Sequence, residues 1–103
     1  MVIFLYRWRI KAEFVEQFVE NWSVVTEYYK VNCGSLGSRL HIGDDGFYYG
    51  YAQWLSAEDR EKASLDADAQ ISFVKMREAV EQSFPYVQLE PVAGYLSIEP
   101  NGE

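Results

Sequence analysis

The stretch Leu36-Gly37-Ser38-Arg39-Leu40-His41-Ile42, Gly43-Asp44-Asp45-Gly46, Phe47-Tyr48-Tyr49-Gly50-Tyr51-Ala52-Gln53-Trp54-Leu55 decides the fold. Two runs of alternating character flank a tight Gly-Asp-Asp-Gly turn, which is the pattern of a β-hairpin. Alternation puts Tyr49 and Tyr51 on one side of the return strand, with Tyr48, Ala52 and Trp54 on the other.

Working outward, both flanks switch to a helical period. Upstream, residues 12–31 place Phe14, Val15, Phe18, Trp22, Val25 and Tyr29 at spacings of three and four, with Glu13, Glu16, Glu20 and Glu27 on the other side. No capping residue precedes Ala12, and Gly34 is the natural left-handed residue beyond the helix end. Downstream, Ser56-Ala57-Glu58-Asp59 reads as a capped helix start, giving a short helix from 57 to about 64. A second helix begins at Asp66 or Asp68 and runs to Ser83, with the stripe Ala69, Phe73, Met76 and Val80, until Pro85 stops it.

The outermost segments are strands. Residues 2–10 are β-branched and aromatic, with Phe4, Tyr6, Trp8 and Ile10 on one face and Ile3, Leu5, Arg7 and Arg9 on the other. Residues 86–98 hold a last strand or pair of strands, in which Pro91 and Gly94 limit pairing, and 99–103 form a frayed tail. The order β-α-β-β-α-β predicts a single α+β domain over 1–103. Right-handed crossovers make it ferredoxin-like, a four-stranded antiparallel sheet with both helices on one face.

Composition narrows the function. The chain has 103 residues, and 17% of them are aromatic, with eight Tyr, six Phe and three Trp. A lone sheet with so many aromatic residues would expose a broad apolar face. Self-association of that face predicts a homodimer with twofold symmetry. The formal net charge of −7 argues against nucleic acid and against an anionic membrane surface. Cys33 is the one cysteine and His41 the one histidine, so neither a disulfide nor a metal site is expected. Met1 to Arg7 lacks a basic n-region and a small-residue cleavage site, and no run approaches a membrane-spanning length. A reducing cytoplasm is the expected location.

Several side chains carry usable chemistry. Arg7, Arg9, Arg39 and His41 are strand residues which, on a shared face, form a patch suited to a carboxylate, phenolate or enolate oxygen, or else pair with the many glutamates. His41 is either a proton shuttle or a surface histidine. Among the strand tyrosines Tyr6, Tyr48, Tyr49, Tyr51 and Tyr95, one or two reach a pocket and the rest fill the interface. Trp22 lies on the apolar stripe of the first helix, in the core or against a ligand. Cys33 sits at a helix C-terminus, where the dipole disfavours a thiolate. No Ser/His/Asp grouping arises around one histidine, and Gly34-x-x-Gly37 and Gly43-x-x-Gly46 read as turns rather than phosphate loops.

The chain resembles the dimeric α+β barrel superfamily and, within it, the antibiotic biosynthesis monooxygenase-like domains. The resemblance covers roughly residues 2–98. It is carried by Tyr6-Arg7-Trp8-Arg9 running into Phe14 and Trp22, by Gly34-Ser35-Leu36-Gly37-Ser38-Arg39-Leu40, and by Tyr51-Ala52-Gln53-Trp54-Leu55-Ser56. It implies a pocket between sheet and helices, with Trp54 either lining that pocket or packing in the core. It also implies oxidation of a small electron-rich aromatic by O2, without flavin, haem or metal. Trp54 would position the ring, Arg7 or Arg39 would hold an oxyanion, and a tyrosine or His41 would move the proton. Tyr6, Tyr49, Tyr51 and Trp22 are the candidate ligand contacts. Ala63-Ser64-Leu65-Asp66-Ala67-Asp68 lacks the histidine that several members carry near the second helix, so haem degradation is not expected. A non-catalytic ligand-binding or accessory dimer of the same fold is the alternative.

Overall fold

In the computed structural model, residues 1–96 are described; the expected tail 99–103 and the end of the last strand region lie outside them. Strand β1 (Val2–Ile10) leads through a single 3-10 turn (Ala12–Phe14) into helix α1 (Val15–Asn32). Strands β2 (Ser35–Ile42) and β3 (Tyr48–Trp54) follow as the hairpin, then helices α2 (Ala57–Lys62) and α3 (Ala67–Glu78), and strands β4 (Val80–Ser83) and β5 (Val87–Leu89).

Local chemistry explains these limits. Gly34, at φ +83°, takes the left-handed conformation that releases the chain from α1 into β2. At the hairpin tip the Gly43 N–H donates to the Phe47 carbonyl at 2.8 Å, and Asp45 Oδ1 accepts the Phe47 N–H at 3.0 Å. Ser56 Oγ caps α2 by accepting the Asp59 N–H at 3.2 Å. Asp66, rather than Asp68, caps α3, accepting the Ala69 N–H at 2.8 Å. The start of α1 has no side-chain cap. It is tied instead through Lys11, whose backbone N–H donates to the Ala79 carbonyl and whose Nζ donates to the Glu78 carbonyl, both at 2.9 Å. A cation at the end of α3 is also where the helix dipole favours one.

The sheet is antiparallel in the order β2-β3-β1-β4, with β5 also paired to β1. This is the ferredoxin-like arrangement with the helices on one face. Among the described residues it has five strands rather than four because one edge position is shared: β4 pairs with Trp8–Ile10 and β5 with Ile3–Leu5. Phe84-Pro85-Tyr86 separates them. The expectation that the last helix reaches Ser83 is corrected. It ends at Glu78, and Val80–Ser83 are strand, because that segment supplies the hydrogen bonds that the Trp8–Ile10 edge of β1 lacks.

Register settles the faces. Val2↔Trp54, Phe4↔Ala52, Tyr6↔Gly50 and Trp8↔Tyr48 put the even residues of β1 and β3 together. They meet the helices in two buried clusters, one around Ile10, Phe18, Met76 and Ala79, the other around Phe4, Ala52 and Trp54. The odd residues, Leu5, Arg7 and Arg9 with Tyr49 and Tyr51, form the face away from the helices.

Candidate active site

Between the sheet and the helices lies a cavity of about 580 Å³. It is within the size range of small-molecule sites. β1 contributes Tyr6 and Trp8, β3 contributes Trp54, α1 contributes Trp22 and Tyr29, and α2 contributes Arg60. The floor depends on Gly50. A Cβ there would lie 2.9 Å from the Trp8 ring, so only glycine lets that indole lie down on β3. Trp8 and Tyr6 then stack along the strand with centroids 5.6 Å apart and planes 6° from parallel. Trp54 is 4% exposed and meets Tyr29 edge-to-face at 5.8 Å.

The polar centre of the cavity is a Tyr6–Arg60 pair. Arg60 Nε–H donates to Tyr6 Oη at 2.9 Å. Its guanidinium carbon lies 4.5 Å from the centre of the Phe4 ring and 4.6 Å from that of Tyr86. Tyr6 accepts this bond and keeps its own proton to donate. Burial raises the Tyr6 pKa above its ordinary value, against the opposing pull of Arg60. Burial likewise raises Tyr29, helped by Cys33 and by Tyr6. Both phenols are therefore protonated at neutral pH and serve as hydrogen-bond donors, not as bases.

Of the residues singled out in the sequence, Trp54, Tyr6 and Trp22 line this cavity together. Arg7, Arg39, His41 and Tyr49 do not join them; the pairings Arg7↔Tyr49, His41↔Tyr49 and Arg39↔Tyr51 put them across the sheet. Tyr51 borders the cavity from β3, while its ring lies beneath the Arg39 guanidinium at 5.4 Å. On that outer face Arg7 lies 4.0 Å from the centre of the Phe84 ring and 5.1 Å from that of Phe47, and Arg9 lies 4.5 Å from Phe47. Tyr49 donates to Asp45 Oδ2, which lowers the Asp45 pKa and raises that of Tyr49. His41 is exposed and also borders a shallow groove of about 500 Å³ beside Val19 and Trp22. Cys33 Sγ donates to the Ser64 carbonyl at 3.4 Å, a packing role.

Arg60, Tyr29 and Arg77 line the cavity without having been singled out. The signal for Arg60 was present. Ala57, Arg60 and Ala63 recur every third residue and so share one side of a helical turn. Ala57 and Ala63 pack on the Phe4–Trp54 cluster, which turns Arg60 toward the sheet. Among the described residues no group of three or more metal-ligating side chains occurs, and no helix is long and apolar enough to cross a membrane.

Comparison with solved structures identifies the architecture. A protein from Caulobacter crescentus CB15, provisionally named an antibiotic biosynthesis monooxygenase, superposes with a TM-score of 0.75 at 13% identity, over 89% of this chain and 90% of that one. A protein from Nitrosomonas europaea with the same provisional name superposes at 0.74 and 13% identity, over 90% of this chain and 100% of that one. A structure named antibiotic biosynthesis monooxygenase gives 0.73 and 13%, over 90% and 100%. No protein-family model and no curated protein sequence matches the chain.

Proposed function

With the fold of the antibiotic biosynthesis monooxygenase structures as premise, we propose that the cavity binds a small, planar, electron-rich aromatic and that the protein oxidises it with O2. The observation that carries this reading is the Tyr6–Arg60 pair facing an aromatic-walled cavity. A phenol or enol bound there presents its oxygen to the Tyr6 hydroxyl. The Arg60 charge behind Tyr6 favours the ionised form of that oxygen. Trp54 and Trp22 hold the ring plane.

The chemistry balances without a cofactor. Loss of a proton from the substrate gives a carbanion in conjugation with the oxygen. The carbanion passes one electron to O2, and the resulting radical and superoxide combine as a carbon–oxygen bond. Protonation gives a hydroperoxide, whose O–O bond breaks as the carbon loses its remaining hydrogen. A methylene thus becomes a carbonyl, O2 is reduced, and one water leaves. Since Tyr6 and Tyr29 are protonated, the proton taken from the substrate goes to solvent. The protein's contribution is to stabilise the anion that remains.

Tyr6 and Tyr29 stay protonated, and the carboxylate that borders the cavity among the described residues, Glu61, is exposed; this favours a second reading, a ligand-binding protein that uses the same cavity without turnover. Oxygen uptake with anthrones and naphthols, without added flavin or metal, separates the two. Uptake above the uncatalysed rate with quinone formed, reduced about a hundredfold in Tyr6→Phe, is the expected result for an oxyanion donor. No uptake across the panel, with binding retained, leaves the second reading.

For the outer face we propose a second copy of this chain as its cover. Leu5, Val87 and Leu89 share that face with Tyr51, and Val87 is 52% exposed. In this reading Arg7, Arg39, His41 and Tyr49 act at the contact between copies.

A further inference from the structure

We infer that the cavity selects aromatic ligands that already carry a negative charge, such as an aromatic carboxylate, and that Arg60 reads that charge. This rests on the cavity being the ligand site. The protein as a whole is acidic, with sixteen Asp and Glu against nine Lys and Arg. Among the described residues the cavity reverses that balance, since Arg60 and Arg77 border it against one carboxylate, the exposed Glu61.

Arg60 is also half-buried without a counter-ion among the described residues. Its one hydrogen bond there runs through Nε to Tyr6. That leaves the four N–H groups of its two terminal nitrogens, in the planar fork that matches a carboxylate. The guanidinium rests against the adjoining rings of Phe4 and Tyr86, which restrain its position. Aromatic faces compensate a cation only in part, and a partly desolvated charge gains most from a hydrogen-bonded partner of opposite sign. A neutral aromatic fills the cavity but leaves the guanidinium as it was. An anionic one fills the cavity and pairs with it.

The test is calorimetric titration with 2-naphthoate and 2-naphthamide, which have nearly the same shape and differ in charge. The wild-type protein is expected to bind the carboxylate about tenfold or more tightly than the amide, as a charge-assisted pair requires. Arg60→Gln should abolish that ratio, Arg60→Lys should keep part of it, and Arg77→Gln should keep more than Arg60→Gln does. The ratio is taken within each variant, so a general loss of stability does not imitate the effect. Equal binding of the two ligands by wild type overturns the inference and leaves the aromatic cavity standing. A preference that survives Arg60→Gln, or follows Arg77 instead, removes Arg60 from the role. Binding of neither ligand overturns this inference together with the cavity as ligand site.

Discussion

The two faces of the sheet each hold an arginine among aromatic rings, and they use it differently. On the outer face, Arg7 stands on the strand itself and lies 4.0 Å from the Phe84 ring, in the open. On the helix face, Arg60 arrives from a separate element, reaches over Phe4 and Tyr86, and donates to Tyr6 at the wall of a cavity. The Phe84-Pro85-Tyr86 break supplies one ring to each cluster. The difference is one of solvation. An exposed cation–aromatic contact contributes on the order of 0.5–1 kcal/mol and leaves water free to solvate the charge. The same contact half-buried leaves a charge whose remaining donors look for a partner, which is the physical basis of a ligand site.

This contrast gives four tests, taken from the largest effect to the smallest. Trp54→Ala removes a buried indole beside Phe4 and Ala52. It should lower stability by about 3–5 kcal/mol in a denaturant titration, whereas Tyr51→Ala on the outer face should cost clearly less. Gly50→Ala drives a methyl into the Trp8 ring. It should cost about 1–3 kcal/mol and weaken aromatic ligand binding through the displaced floor, both measurable in one calorimetric series.

Tyr6→Phe and Tyr49→Phe remove one hydroxyl from each face. The first deprives Arg60 of its hydrogen-bond acceptor and should lower stability by about 1–2 kcal/mol. The second touches an exposed pair with Asp45 and should change stability clearly less. Their pH profiles should also differ. Tyr6 and Tyr29 have folded pKa values above their ordinary 10.0, so their contribution is complete below that pH and is lost as the pH rises through the folded values. Tyr6→Phe should flatten that alkaline fall in unfolding free energy. Asp45 is held below its ordinary 3.8, so its contribution is present above that pH and fades as the pH falls through the lower folded value, an acid slope that Asp45→Asn should reduce. The smallest effect on stability belongs to Val87→Asp. It should leave the monomer's unfolding nearly unchanged while shifting a dimer to monomer in sedimentation at micromolar concentration. A species that is monomeric before the substitution would remove the second copy from the outer face.

How legible the site was depended on where each residue sits. Trp22 stands on a helix whose apolar stripe points it inward, whereas Trp54 and Tyr6 stand on strands whose period assigns each to a face without saying which face is inward; all three line the cavity. Arg60 is less legible because α2 has six residues and no apolar stripe, so its inner side is marked only by Ala57 and Ala63. Tyr86 follows a proline in a break between strands, where no period applies. Alternation groups Arg7 with Arg9 and Arg39 with His41, but only the register puts the two pairs on one face, and alternation does not say which face meets the helices.

The sequence alone carries the element order, the hairpin and its turn, the cap at Ser56, the choice of Asp66 or Asp68 as the next helix start, and the glycine exit from α1. All of these depend on interactions within a few residues. Tertiary structure alone decided three things. It turned Val80–Ser83 from helix to strand, because the edge of β1 offered hydrogen bonds that a helical periodicity cannot foresee. It chose the even face of β1 for the helices, because both faces carry apolar residues and the two-residue period is symmetric between them. It brought Arg60 to Tyr6, fifty-four residues away in the chain, because only the crossing of α2 over the sheet sets that distance.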